Sequence, residues 1–269
     1  MKDMRQMTTN QPTTNDAKDR VRAQYGSVGD AYVRSVGHAT GSDLQRMVEL
    51  AAPQPADHLL DIATGGGHVA RVFAPHVAAV VASDLTPEIL AHAERSFADL
   101  GLTNVTTAVV DAEKLPFDDR SFDLVTCRIA PHHFPNPGRF VAEAARVLRP
   151  GGRFVLVDST VPDGTAGNFF NRFELLRDPS HVRSLTVGEW LALLDNAGLA
   201  VGTAESFSKR HEFNDWTSRS RMTNRDKGTL ERMMLEADAH TQLQFAAEIV
   251  DDHLAAFTDT KTLFVTQTC

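Results

Sequence analysis

A chain of 269 residues, 42% hydrophobic and 23% charged, has ordinary globular composition and the length for one sizeable domain with appendages. Its 27 basic and 35 acidic residues leave a formal charge of −8, and no basic run lies along it, which argues against nucleic acid and anionic membrane as partners. No stretch reaches ~18 consecutive apolar residues, so no membrane-spanning helix is expected, and two cysteines, Cys127 and Cys269, make no disulfide framework and fit a reducing cytoplasm.

Residues 1–19 are Thr/Asn/Gln-rich, lack the apolar core of a secretory signal, and read as a disordered tail. Residues 20–52 read as a helical N-terminal cap, with Asp43 capping "LQRMVELAA" and Leu44, Met47, Val48 and Ala51 on one face. "HLLDIA" (58–63) is too short for a helix and reads as a buried strand. "GHVARVFAPH" is the next helix and "VAAVVASD" (77–84) the next strand. "TPEILAHAERSFADLG" is a marked helix: Thr86 is its N-cap, Pro87 sits in the first turn and Gly101 stops it. "VTTAVVD" (105–111) and "SFDLVTCRIA" (121–130) are the third and fourth strands. "GRFVAEAARVLRPGG" is a helix stopped by Pro150-Gly151-Gly152, followed by the strand "RFVLVDST". Thr186 and Glu189 form a capping box before "VGEWLALLDNAG". "LAVGTAESF" and the terminal "KTLFVTQT" read as strands, with 214–242 helical between them. Alternating strands and helices through residue 160 predict an α/β fold, a doubly wound and mostly parallel sheet in a single domain over 20–269. Within it, 53–160 reads as a ligand-binding core and 161–269 as later helices with the final strands.

The stretch "LLDIATGGGHVA" (59–70) carries the chemistry. Ligands of an open parallel sheet bind beyond the carboxyl ends of its strands, where Gly65, Gly66 and Gly67 fall. Glycine there lets backbone approach a ligand, and the following helix offers unpaired N–H groups. Asp84 ends the second strand 19 residues after Gly65, a spacing that suits a carboxylate holding ribose hydroxyls. Gly65-x-Gly67-x-x-Ala70 also fits a dinucleotide fingerprint, so a nicotinamide-dependent oxidoreductase is a rival. Asp61 argues against it, because a carboxylate near the loop repels a pyrophosphate and attracts an ammonium and a sulfonium. Asp111, followed by Ala112, can accept an adenine amine. The two tyrosines, Tyr25 and Tyr32, lie upstream of the glycines, so the downstream Tyr-x-x-x-Lys pair of short-chain reductases is missing.

"LDIATGGGHVA", "ASDLT", "DAEKLPFDDRSFDLVTCRIAPHHFPNP" and "RVLRPGGRFVLVD" together resemble the successive motifs of class I S-adenosylmethionine-dependent methyltransferases, closest to the ubiquinone/menaquinone biosynthesis group. The resemblance implies a Rossmann-like seven-stranded sheet whose last strand is antiparallel, an N-terminal helical lid, and S-adenosyl-L-methionine as cofactor. It implies that Asp61 holds the methionine end, that the loop of Ala63, Thr64, Gly65 and Gly67 lies against the cofactor, and that Asp84 takes the ribose. Leu85 would pack on the adenine, Asp111 and Ala112 would read its amine, and Arg128 would lie near the methionine through its backbone. Many members have glycine where this chain has Ala63, which implies a slightly tighter loop.

His132 and His133 follow the fourth strand on the ligand side and are the candidate catalytic bases; the alternative is one packed and one solvated ring. Adjacent histidines do not make a metal site at helical spacing, and no metal is expected. Tyr25, Tyr32 and His38 belong to the lid segment, and Tyr25 is a candidate for a cation–π contact with the sulfonium. Phe169, Phe170, Phe173, Phe207, Phe213 and Trp216 either fill a core or wall an apolar acceptor pocket. The expected activity is methyl transfer to a small apolar or aromatic acceptor, with cofactor binding without catalysis as a second alternative. Partners are then a small molecule and no nucleic acid, and a homo-oligomer is compatible with the sequence.

Overall fold

The computed structural model describes residues 14–26, 42–220 and 222–268. Its helices are α1 (Thr14–Gly26), α2 (Ser42–Ala51), α3 (His68–Phe73), α4 (Pro87–Asp99), α5 (Pro137–Val147), α6 (Thr165–Arg177), α7 (Val187–Asn196), α8 (Phe213–Ser218), α9 (Asn224–Leu235) and α10 (Ala239–Gln244). Its strands are β1 (His58–Ile62), β2 (Ala79–Asp84), β3 (Val105–Val109), β4 (Phe122–Arg128), β5 (Leu148–Thr160), β6 (Leu199–Glu212), β7 (Glu248–Val250) and β8 (His253–Thr268). The sheet runs β3-β2-β1-β4-β5-β8-β6, with β7 added as a short hairpin on β8. Strands β1 to β5 pair in parallel, and β8 is antiparallel to both β5 and β6. The predicted seven-stranded sheet with an antiparallel last strand is therefore present, plus one short strand.

The near-continuous apolar character of β1 follows from burial on both faces. Leu60 and Ile62 point to one side, where Phe140 of α5 and Trp190 of α7 cover them. Leu59 points to the other, where Met47 of α2, Phe73 of α3 and Phe97 of α4 close the layer. A third cluster sits past the carboxyl ends of the strands, where Phe170, Phe173, Phe213, Trp216 and Phe257 pack together. In it, Phe173 stacks on Trp216 at 5.2 Å and Phe170 on Phe245 at 4.6 Å. The late aromatics are thus core side chains, with Phe207 packing on the second cluster.

Several boundaries differ from expectation. Helix α1 begins at Thr14, inside the segment read as a tail, and α2 covers only Ser42–Ala51 of the predicted cap. Asp43 is not the cap of α2 but lies in its first turn, its carboxylate bound to Arg128. Thr86 does occupy the N-cap of α4, yet its hydroxyl makes no capping bond. Helix α5 ends at Val147 and β5 starts at Leu148, because Pro150 forces the residue before it out of helical backbone. The 214–242 region divides into α8, α9 and α10. The capping box at Thr186–Glu189 is formed in both directions.

Candidate active site

The tips of β1, β2 and β3, together with the turn after β4, surround a cleft of about 760 Å³. Ala63, Gly65, Asp84, Leu85, Asp111, Ala112 and His133 line it, so seven of the thirteen predicted site residues converge there. A smaller cleft shares Ala63 and Gly65 with it and adds Asp61, Thr64 and Arg128.

Asp84 holds the loop from the second strand tip. Its Oδ2 accepts the Gly65 N–H at 3.0 Å and its Oδ1 the Thr86 N–H at 3.0 Å. Burial raises its pKa above the usual carboxylate range, and these backbone donors pull the other way. Asp61 is buried and receives hydroxyl donors, Thr64 Oγ1 at 2.5 Å and Thr126 Oγ1 at 2.8 Å. Burial pushes its pKa up to about 6, against the hydroxyls and the charge of Arg128. Its carboxylate is a deep wall of the smaller cleft.

The loop backbone explains the glycines unequally. Gly65 has φ +52° and faces the larger cleft. Gly67 has φ +79°, and a Cβ there would lie 2.4 Å from the Phe97 ring. Its missing side chain makes room for α4, so the structure sets Gly67 against a helix and outside both clefts, contrary to the prediction. Ala63 has φ +54°, in the left-handed region where an alanine is strained. The departure from glycine is thus felt in the backbone, where the sequence implied only a volume effect.

Asp111, just past β3, donates nothing and accepts twice: from Lys18 Nζ at 2.7 Å and from the Glu113 N–H at 3.0 Å. Lys18 also reaches Glu113 at 2.9 Å, so one ammonium ties α1 to the rim of the larger cleft. Arg128 forms a bidentate pair with Asp43, 2.5 Å from Nε and 3.1 Å from Nη2, which holds α2 to β4. Both side chains are buried.

The two histidines separate in role. His132 Nδ1 lies 2.7 Å from Oδ1 of Asp158, a buried residue of β5. Since a carboxylate only accepts, a proton sits on Nδ1 between the two groups, and Nε2 is the ring nitrogen turned away from Asp158. The other oxygen of Asp158 has no hydrogen-bond partner among the described residues. His133 Nδ1 lies 3.1 Å from the Ser180 carbonyl, and burial, with the neighbouring His132, lowers its pKa to about 4. His181, its ring centroid 5.6 Å from that of His132, is lowered to about 2 by burial and by both histidines. Two of the three clustered imidazoles are therefore neutral at pH 7.

Tyr25 lies in the last turn of α1 and its side chain is outside the described residues, as are Tyr32 and His38. Sequence reasoning missed Lys18, Glu113 and Asp158. Asp158 had a signal, since it stands near the end of an apolar strand as Asp61 does; Lys18, in a polar segment, had none.

An open parallel sheet, with carboxylates at successive strand tips around a cleft floored by glycine backbone, defines a nucleoside-cofactor enzyme. Residues 60–156 match the family described as methyltransferase domain. The chain is 38% identical over 182 residues to an uncharacterised methyltransferase, YcgJ, of Bacillus subtilis strain 168, covering 67% of this chain and 72% of the relative. It is 28% identical over 181 residues to the ubiquinone/menaquinone biosynthesis C-methyltransferase of Rickettsia massiliae, covering 64% of this chain and 71% of that one. A solved structure from Bacillus halodurans C-125, described as that of a methyltransferase, superposes with a TM-score of 0.82 at 39% identity over 84% of this chain and 99% of that one. The chain belongs to the S-adenosylmethionine-dependent methyltransferase family. That membership sets aside the nicotinamide oxidoreductase reading. Among the described residues, no helix is long and apolar enough to cross a membrane.

Proposed function

We propose that the chain moves a methyl group from S-adenosylmethionine to a small apolar or aromatic acceptor, with His132 as general base. The observation that carries the reading is the convergence of Asp84, Asp111 and Gly65 on one cleft, with Asp61 in the adjoining one. In this reading Asp84 holds the ribose and Asp111 with Ala112 the adenine amine. Leu85 packs on the ring, and Asp61 faces the cationic methionine end across the loop of Ala63 and Thr64. Arg128 stays paired with Asp43, and its contact with the cofactor is through the backbone.

S-adenosylmethionine supplies an already activated methyl group, so the protein's part is alignment and proton removal. Holding the acceptor in line is worth about 7–11 kcal/mol in well-oriented reactions. His132, fixed by Asp158, takes the acceptor's proton on Nε2, and the Asp158 carboxylate steadies the resulting imidazolium. His133 is poorly suited to that role, because burial holds it neutral and its Nδ1 faces the Ser180 carbonyl.

Titration calorimetry with S-adenosylmethionine, S-adenosylhomocysteine and NAD tests the cofactor. The first two are expected to bind and NAD is not. Asp84→Ala should weaken S-adenosylmethionine binding by about 1–3 kcal/mol, the cost of leaving polar partners unmatched. An unchanged dissociation constant overturns the assignment. Turnover on a panel of phenols and quinols tests the base. Asp158→Asn should lower that turnover, because an amide can turn its own N–H toward Nδ1 and no longer fixes the ring's proton there. Full activity in His132→Ala would remove the base from the reading.

A further inference from the structure

One face of the sheet carries a row of charges at its carboxyl edge. Strand pairing sets Ser159 of β5 opposite Lys261 of β8, and Asp259 of β8 opposite Lys209 of β6. Directly opposed residues share a face. Lys261 Nζ donates to Ser159 Oγ at 2.5 Å and to Asp259 Oδ2 at 2.7 Å. Nε2 of His211 lies 3.1 Å from the other oxygen of Asp259. Asp259, Lys261 and His211 are all buried.

The one carboxylate of this row is taken by Lys261 on one oxygen and faced by His211 on the other. Two more cations stand within electrostatic reach of it, Lys209 and Arg219. Among the described residues the Lys209 ammonium has no ion pair or hydrogen bond. Arg219 Nε donates to the Asp215 carbonyl at 3.3 Å; the Asp215 and Asp259 carboxylates stand within electrostatic reach of its charge, and the nearby Glu174 is paired with Arg177. Next along the face, Arg128 is balanced by Asp43. A partly buried ammonium beside like charges is costly, and lysine is seldom buried without a partner. Burial and the neighbouring Lys261 accordingly lower the Lys209 pKa. A local cation excess in a chain of net charge −8 is a place prepared for an anion.

The row begins beside the candidate cofactor site, since Arg128 lines the smaller cleft with Asp61 and is within electrostatic reach of Lys209. It ends among aromatics: the His211 ring is 5.2 Å from Phe257 and 6.2 Å from Trp216. We propose that this face binds an oxyanion, a carboxylate or phosphate carried by the methyl acceptor, with Lys209 and Arg219 as its cationic partners. The proposal rests on the methyltransferase reading for what the acceptor is, but the anion site itself does not depend on it. The rival source of the same chemistry is the carboxylate of the cofactor's own methionine.

Calorimetric titration of benzoate, phenyl phosphate and benzyl alcohol, each with and without saturating S-adenosylhomocysteine, tests it. At least one of the two anions should bind about tenfold or more tighter than the alcohol, as a charge-assisted contact requires. Lys209→Met and Arg219→Met, checked for folding by thermal unfolding, should each cut that preference while leaving S-adenosylhomocysteine affinity within about twofold. Equal binding of all three probes overturns the proposal, and so does a preference that survives both substitutions. Loss of S-adenosylhomocysteine binding in the variants, with anion preference intact, assigns the cations to the cofactor and overturns it too. Absence of S-adenosylhomocysteine binding in the unaltered protein overturns the methyltransferase reading, while the titrations without it still decide the anion site.

Discussion

At the scale of single residues, the glycine loop after β1 holds its own strain. Ala63 sits at φ +54°, where a Cβ meets the backbone, and the cost of that conformation is about 1–2 kcal/mol for a residue other than glycine. Ala63→Gly should therefore stabilise the folded chain by roughly 1 kcal/mol, after the greater freedom of glycine in the unfolded chain offsets part of the relief. Urea denaturation measures it, and a loss of stability would show that the alanine methyl makes packing contacts worth more than the strain. The residue types at the strand tips were legible from sequence because an acid at the end of an apolar run has few structural uses. Their partners were not. Nothing in the spacing says that Asp111 meets Lys18 from 93 positions away, or that Gly67 yields its space to Phe97.

At the scale of elements, a buried charge pair adds to apolar contact in joining α2 to the sheet. Arg128 and Asp43 are both buried, and they link β4 to α2. Removing one member of such a pair leaves a buried charge exposed to low dielectric, at about 3–5 kcal/mol. Asp43→Ala should cost near the lower end of that range in equilibrium unfolding, since Arg128 has further interactions. A double variant, Asp43→Leu with Arg128→Met, should recover much of it, and failure to recover would show that the pair has a role beyond cancelling charge. Periodicity predicted α2, α4 and α7 well because each has an apolar stripe and a cap or stop. It failed at Asp43 for a physical reason: the same short carboxylate that caps a helix also pairs with an arginine, and only the third dimension decides between them.

At the scale of the whole molecule, stability should depend on pH through opposed groups. His133 and His181 have folded-state pKa values lowered to about 4 and about 2, so the unfolded chain binds more protons than the fold below the ordinary histidine value. Their contribution is present above pH ~6.5 and is lost as pH falls below it. Asp61 works in the other direction. Its folded value is raised to about 6, so its contribution is present below the ordinary carboxylate value near ~3.9 and is lost as pH rises through 6. Unfolding midpoints should decline from pH 7 downward, and the decline between pH 6 and 4 should steepen in Asp61→Asn, which removes the opposing group. Parallel slopes in the two proteins would show that Asp61 is ionised throughout. The fold as a whole was the most legible level, since alternating strands and helices admit few arrangements. The antiparallel final strand came from resemblance, because a run such as "KTLFVTQT" does not state its direction.

Strand β8 has a consequence for the order of assembly. It is hydrogen-bonded on one side to β5 and on the other to β6, although β6 precedes it in the chain. No ladder can therefore form for β6 until the later strand has threaded into place, and β5 is a bare edge until the same moment. The first five strands and their helices are free to condense as a nucleus of short-range crossovers, while everything from Leu199 onward waits on one long-range closure. The half of the sheet holding Asp259, Lys261 and Lys209 would thus be the last to acquire its shape.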